Sequence, residues 1–462
     1  MKTIIQRELL DNFKSLRFVV LLIFSIVLFS LNGFLFVQRI TQQIYSYNDK
    51  INRGMRKSTV RTWCYKRPSP MIFLAEGGEK YLPNGYSLMP KGAIEPFSSS
   101  DYNYKMPDTP ELDWAFIIKV IFSLYVLLLG YDTVSGEKEQ GTLRLILSNP
   151  LNRIQLLVAK YFSMLITVLI PLLFGMLISL IIVGISIPQI LSFSAFTNFF
   201  IMSIIAFVYI SLFIFMSLLI SSLIHQSSLV LLALLSIWLV LLIIPEMSFV
   251  LSQKLSKIPG EYQITRQINS REHNIIDYVE FKRRLNTGEF ATEEEVKEEG
   301  SRLLGNLVSD LTKLYIDYQN SMEEQRNNAR LFSRLSPMAI FQYAAENTTG
   351  TGLKQQKHFI SDIKAFSQVY DGYILDKVGK LVDYSKYSRG WTVEYKGKWL
   401  EIDSPRPEEY NGDMSDFPVF VPLKPSIVRT VNDLLLDMSI LLIWNIVLAL
   451  GAFIAFFRAD VR

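Results

Sequence analysis

Apolar residues in this chain collect in runs of about 20 residues separated by polar stretches, and a helix of that length spans roughly 30 Å of hydrocarbon. Six such runs stand out, at 18–36, 114–131, 156–185, 198–223, 228–244 and 432–457. The third contains Pro171 and is long enough to tilt or kink, which makes Pro171 a candidate hinge. Before the first run, residues 1–17 mix Lys2, Arg7, Lys14 and Arg17 with Ile4, Ile5, Leu9, Leu10, Phe13 and Leu16. That pattern describes an amphipathic elbow helix lying on a membrane surface. A cleaved signal peptide is the competing reading, and the lack of a small-residue cleavage site after Phe36 counts against it.

Two polar stretches are too long to be simple loops. Residues 37–113 are rich in Tyr, Pro and Gly; 38–53 continue the first helix, and the rest reads as irregular or strand-like. Residues 245–431 form the larger insert. There Thr292 to Glu295 makes a capping box opening a long helix, and Leu304, Leu307, Leu311, Leu314, Tyr318 and Met322 recur at three- and four-residue steps. That stripe calls for a partner helix, most simply 253–285 in a hairpin. Pro337 starts a further helix, and Phe359, Ile363, Phe366, Tyr370 and Tyr373 line one face of another. Trp391 to Ile402 alternates around Lys396-Gly397 like a β-hairpin, and a Pro-rich extended strand from Ser404 to Pro425 returns to the membrane. The expected fold is a polytopic α-helical membrane protein of six transmembrane helices. It carries a mainly helical extracytoplasmic domain with a small β element.

Composition agrees: half of the residues are hydrophobic and 19% are charged, an unusual balance for a soluble protein of this size. A net charge of +4 gives no reason to invoke nucleic acid. The single cysteine, Cys64, excludes an intramolecular disulfide and a Cys-based zinc cluster, and His225, His273 and His358 are too scattered to suggest a metal site. The short flanks 1–17, 132–155 and 458–462 hold Lys and Arg, whereas the short loop 186–197 holds none. The positive-inside rule therefore places both termini and the loop 132–155 in the cytoplasm, and the two inserts outside the cell's inner or plasma membrane.

The loop DTVSGEKEQGTLRLILSNPLNR, 132–153, has the punctuation of folded structure. Ser135 can cap a helix, Glu137 and Glu139 suit its positive end, and Gly141 interrupts it before Thr142 opens a second turn. Leu143, Ile146 and Leu147 make an apolar stripe at helical spacing, ended by Asn149-Pro150. The stretch from Gly136 to Tyr161 resembles the first cytoplasmic loop of ABC-2 type permeases. Members commonly read Glu-basic-Glu-x-Gly-Thr, an apolar helix and a Ser-x-Pro break, places held here by Glu137, Lys138, Glu139, Gly141, Thr142, Ser148 and Pro150. The long insert with RLSPMAIFQYAAENTTGTG (334–352) and the RPSP stretch (67–70) resemble the subgroup that includes the permease for nitrous-oxide-reductase maturation.

The resemblance implies the membrane half of a transporter driven by a separate ATPase subunit, working with a second, identical or different, permease subunit. ATP and Mg would belong to the ATPase, so no cofactor is expected in this chain. Independently, the nearest approach to a phosphate-cradling loop, Gly136-x4-Gly141, continues Thr142-Leu143 rather than Lys-Ser/Thr. The amphipathic helix would seat in a groove on the ATPase, while Glu137, Lys138, Glu139 and Arg144 set its orientation by charge. The bland alternative is that these charges solvate a membrane-edge loop.

Other polar residues invite weaker readings. Glu246 could line a pathway, or simply mark where a helix leaves lipid. Asn32 and Asn445 could meet a substrate, or hydrogen-bond between helices, the ordinary role. Asn347-Thr348-Thr349 fits a glycosylation sequon. The competing function is a membrane sensor or scaffold whose extracytoplasmic helical domain binds a ligand or envelope protein, although this chain shows no cytoplasmic output domain. An intramembrane enzyme is disfavoured because the spans hold no paired carboxylates or histidine cluster. An extracytoplasmic partner protein and membrane lipid complete the expected contacts.

Overall fold

The computed structural model describes residues 2–54, 59, 61–77, 83–90, 93–97, 112–148, 152–188, 193–255, 258, 263, 266, 276–379, 381, 391–402, 410, 412–423 and 427–458. Among them six helices are long and apolar enough to cross a membrane, and the protein is a polytopic helical membrane protein. Helix α1 (Lys2–Lys14) precedes α2 (Leu16–Gly54), whose 39 residues extend about 58 Å at 1.5 Å per residue. That is about twice the hydrocarbon thickness, so roughly half of α2 projects into water.

The second span is composite: α3 (Trp114–Phe116), a π-helical stretch Ile117–Phe122, and α4 (Ser123–Gly130). Two short helices follow, α5 (Ser135–Glu139) and α6 (Thr142–Ser148). Then come α7 (Arg153–Ser186), α8 (Phe193–Leu223) and α9 (Ser227–Leu255). Helix α9 runs through Pro245, where the fifth apolar run was expected to end at 244, and continues into the insert. The last span is α14 (Ile427–Arg458). Helix α2 packs along α7, and α14 along α8.

The first insert carries a three-stranded antiparallel sheet, β1 (Thr62–Tyr65), β2 (Gly85–Met89) and β3 (Ala93–Phe97). In the second, α10 (Ile276–Asn286) and α11 (Glu293–Ser333) are followed by α12 (Pro337–Thr349) and α13 (Leu353–Val378). Thr292 caps α11 as its sequence dictates, accepting from the Glu295 amide at 3.2 Å, while the Glu295 carboxylate accepts from the Ala291 amide at 2.9 Å. Among the described residues α11 packs along α9, with Ser252 Oγ donating to the Gln325 carbonyl at 2.6 Å, and its start also packs on α10, whose Phe281 and Leu285 share a cluster with Val296 and Leu303. Helix α9 reaches α11 because it does not stop at Pro245. Of the segment 253–285, 256–257, 259–262, 264–265 and 267–275 lie outside the described residues.

Strands β4 (Trp391–Tyr395) and β5 (Lys398–Ile402) pair across Lys396 and Gly397, both at positive φ, the two-residue hairpin turn that matches strand twist. The hairpin packs on the start of α11 with Phe281, Phe290, Val296 and Leu303. Gly300 permits the approach: an added Cβ would lie 2.5 Å from Ile402 Cδ1. The extended strand expected over 404–425 does not form in residues 412–423. Pro418 and Pro422 lack the N–H a ladder needs, and Phe417 and Phe420 pack instead on the Phe359, Phe366 and Tyr370 face of α13. The rest of that stretch, apart from residue 410, lies outside the described residues.

Candidate functional site

The loop between the second and third spans folds as the sequence punctuates it, but its side chains point inward. Gly141 ends α5 at φ 68°, a left-handed conformation that costs glycine little, and α6 starts at Thr142. Ser135 does not cap α5; it lies inside the helix, and the Val134 and Ser135 amides donate to Ser221 Oγ of α8 at 3.1 and 3.0 Å. The neighbouring span therefore supplies the cap, a long-range contact that local spacing cannot announce.

Glu137 accepts from Lys160 Nζ of α7 at 2.7 Å. Lys160 is 1% exposed and also reaches Glu8 of α1 at 3.2 Å and the Thr133 carbonyl at 2.9 Å. Lys138 Nζ donates to the Ser222 carbonyl in the last turn of α8, where a cation suits the negative helix end. Glu139 accepts from the amide and hydroxyl of Ser227 at 3.0 and 2.7 Å, capping α9. The three charged residues of the motif thus each bind a different helix. Arg17 adds a bridge to Asp132 at 3.2 Å, and Arg153 donates to the Phe457 carbonyl of α14 at 2.8 Å.

The apolar stripe also faces the bundle. Leu143 is 2% exposed and Ile146 packs against the same core, whereas Leu145 is 69% exposed. Gln140 and Gly141 are exposed beside it. Among the described residues of 139–146, Glu139, Gln140, Gly141 and Leu145 are exposed, whereas Leu143 and Ile146 pack on the bundle. The side chains of Arg144 and Leu147, and Asn149-Pro150, lie outside the described residues.

A second cluster lies at the opposite end of the bundle. Helix α12 belongs to the insert by sequence, yet Met338, Ile340, Phe341, Ala344 and Ala345 share the core of the spans. Phe341 meets Tyr209, well inside the fourth apolar run, at a ring distance of 4.4 Å, and Ser336 Oγ donates to the Leu241 carbonyl at 2.6 Å. The two inserts meet here. Ser69 Oγ donates to the Thr349 carbonyl at 2.6 Å, and Thr351 Oγ1 to the Ala75 carbonyl at 2.8 Å. Gly77, at φ 58°, lies so close to Glu346 that an added Cβ would sit 2.6 Å from its Cγ.

Buried ion pairs hold this plug: Arg330 with Glu346, and Arg334 with Asp437 of α14, both at 2.8 Å. Arg39 pairs with Glu76 at 2.7 Å, and Lys119 donates to Gln342 at 3.0 Å. Asp113 caps α3, accepting from the Phe116 amide at 2.6 Å and the Glu76 amide at 2.8 Å. Burial pushes its carboxyl up from 3.8 to about 6, only partly opposed by the Phe116 amide. Burial likewise pushes the Glu346 carboxyl up, against the pull of Arg330.

Of the remaining predicted residues, Asn32, Asn445 and Pro171 hydrogen-bond between elements of the bundle. Asn32 donates to the Leu112 carbonyl at 2.6 Å and accepts from Trp114 and Ser179 at 3.0 Å each. Asn445 joins α14 to α8, donating to the Val208 carbonyl at 3.0 Å. Glu246 is exposed on α9. Pro171 accepts from Ser25 Oγ of α2 at 2.7 Å. Asn347 is buried and donates to Asp433 and Asp437, which leaves no room for a glycan. Burial raises the Cys64 thiol to about 12, so it is inert. No group of metal-binding side chains occurs among the described residues.

The model of a family described as "ABC-2 family transporter protein" matches residues 2–461 of this chain. No curated protein matches it.

Proposed function

The chain belongs to the ABC-2 family of transporter proteins, and on that premise we propose that it is the permease driven by a separate ATPase subunit docked at 132–155. Both termini and this loop lie in the cytoplasm, as the Lys and Arg of the short flanks argue, and the inserts lie on the other side of the cell's inner or plasma membrane. ATP and Mg are held by the ATPase. Two permease subunits and two ATPases make the working unit.

The observation that carries this reading is the way Glu137, Lys138 and Glu139 each bind a different neighbour. A partner pressing on Gln140, Gly141 and Leu145 would move α5 and α6 together. Lys160 would pass that movement to α1 and α7, Ser222 to α8 and Ser227 to α9. A rigid-body displacement of this kind needs bistable packing rather than a soft loop. At the far end, α12 sits between those spans and the insert, so their movement reaches the outward domain as export or as a mechanical signal.

The test uses Leu145→Asp, because Leu145 is the most exposed large apolar side chain described in the loop. Purification of the full chain in mild detergent should retain a stoichiometric ATPase. Leu145→Asp should reduce that ATPase at least tenfold with no change in melting temperature. Undiminished association in Leu145→Asp overturns the docking surface, and no ATPase with the unaltered chain overturns the reading itself.

A further inference from the structure

The loop end of the bundle also holds a cleft of about 450 Å³ between the ends of α8 and α14. Lys138 from α5, His225 from the turn before α9 and Arg458 at the end of α14 bring cationic or titratable groups to it from three elements. One ammonium hydrogen of Lys138 is used by the Ser222 carbonyl; the other two have no partner among the described residues. Ser222 lines the same cleft, and its buried hydroxyl has no hydrogen-bond partner among the described residues. A buried hydroxyl normally finds one, so this site is short of an acceptor.

The walls say what kind of acceptor fits. Leu223 and Ile454, at the cleft, are 62% and 54% exposed on spans that a bilayer surrounds. An anion that brings its own apolar chains matches both the basic floor and the apolar sides. A basic pocket between spans at the membrane edge is the arrangement that phospholipid phosphates occupy.

We propose that this cleft binds the headgroup of an anionic phospholipid from the leaflet on the loop side. Its phosphate contacts Lys138, Arg458 and the Ser222 hydroxyl, and its acyl chains run along Leu223 and Ile454. Since Lys138 belongs to the docking loop and Ser222 to α8, the lipid would join the loop to the span that caps it. The inference needs only that the chain is a membrane protein, and it stands or falls without the ATPase.

The full chain, purified in neutral detergent without any ATPase, is mixed with phosphatidylglycerol or phosphatidylcholine, and retained lipid is counted by native mass spectrometry. Phosphatidylglycerol should be retained at least fivefold over phosphatidylcholine. The double variant His225→Gln, Arg458→Gln should lose that preference while melting at the same temperature in detergent alone. Equal retention of the two lipids, or an undiminished preference in the variant, overturns the proposal. Displacement of the lipid by millimolar inorganic phosphate would assign the cleft to a free anion and overturn the lipid as occupant. If the variant does not fold, photoreactive phosphatidylglycerol on the unaltered chain decides. Crosslinks within 219–225 or 451–458 support the site, and crosslinks only elsewhere overturn it.

Discussion

Gly141 shows how a single residue shapes the loop. Its φ of 68° is what lets α5 stop and α6 start within a few residues, and among the described residues beyond its chain neighbours no atom lies within 4 Å of the place a Cβ would take. Gly141→Ala therefore meets backbone strain without a clash and should cost about 1 kcal/mol, read as a lower melting temperature in detergent. Sequence identified this glycine, along with Glu137, Lys138 and Glu139, because punctuation residues act locally. The partners of the three charges could not be read: Lys160, Ser222 and Ser227 come close only through helix packing. Lys160 itself was missed. A lone lysine in an apolar run, near a carboxylate-rich loop, was the available signal, since a charge buried in a span needs a partner.

Among elements, α12 departs most from expectation. Pro337 marks its start in the sequence and takes its expected place, and Gly350 in a left-handed conformation closes its end. Its residence among the spans comes from small residues, Ala339, Ala344 and Ala345, which permit close approach, and from carboxylates matched to arginines on neighbouring elements. Asp113 beside this plug has a testable pH signature. Its folded pKa of about 6 lies above the ordinary 3.8, so the folded state holds the proton more tightly than the unfolded state. The stability this contributes is complete below about 3.8 and is lost as pH rises through about 6. A shift of this size corresponds to roughly 3 kcal/mol. Thermal unfolding across about pH 4 to 7 should show stability falling with pH at this end, and Asp113→Asn should flatten much of that slope. An unchanged slope would remove Asp113 as its source.

For the whole molecule, the proposed orientation predicts which surfaces reagents can reach. With Cys64 replaced by Ser, Gln140→Cys should react with a membrane-impermeant maleimide only in inside-out vesicles, and Trp399→Cys only in intact cells. The reverse pattern would invert the topology. Six spans, two inserts and the capped helix α11 were legible in the sequence because hydrophobic period, proline and capping side chains act over a few residues. Tertiary structure decided what the polar residues do. It turned Glu137, Lys138 and Glu139 into ties between helices, directed Leu143 into the core while leaving Leu145 outside, and placed α12 among the spans. Those outcomes depend on which helix ends meet across more than 20 residues of chain. Distance along the sequence carries no information about such meetings, and for Glu137 and Lys160 burial in a low-dielectric bundle enforces the pairing, because an unpaired charge there is costly.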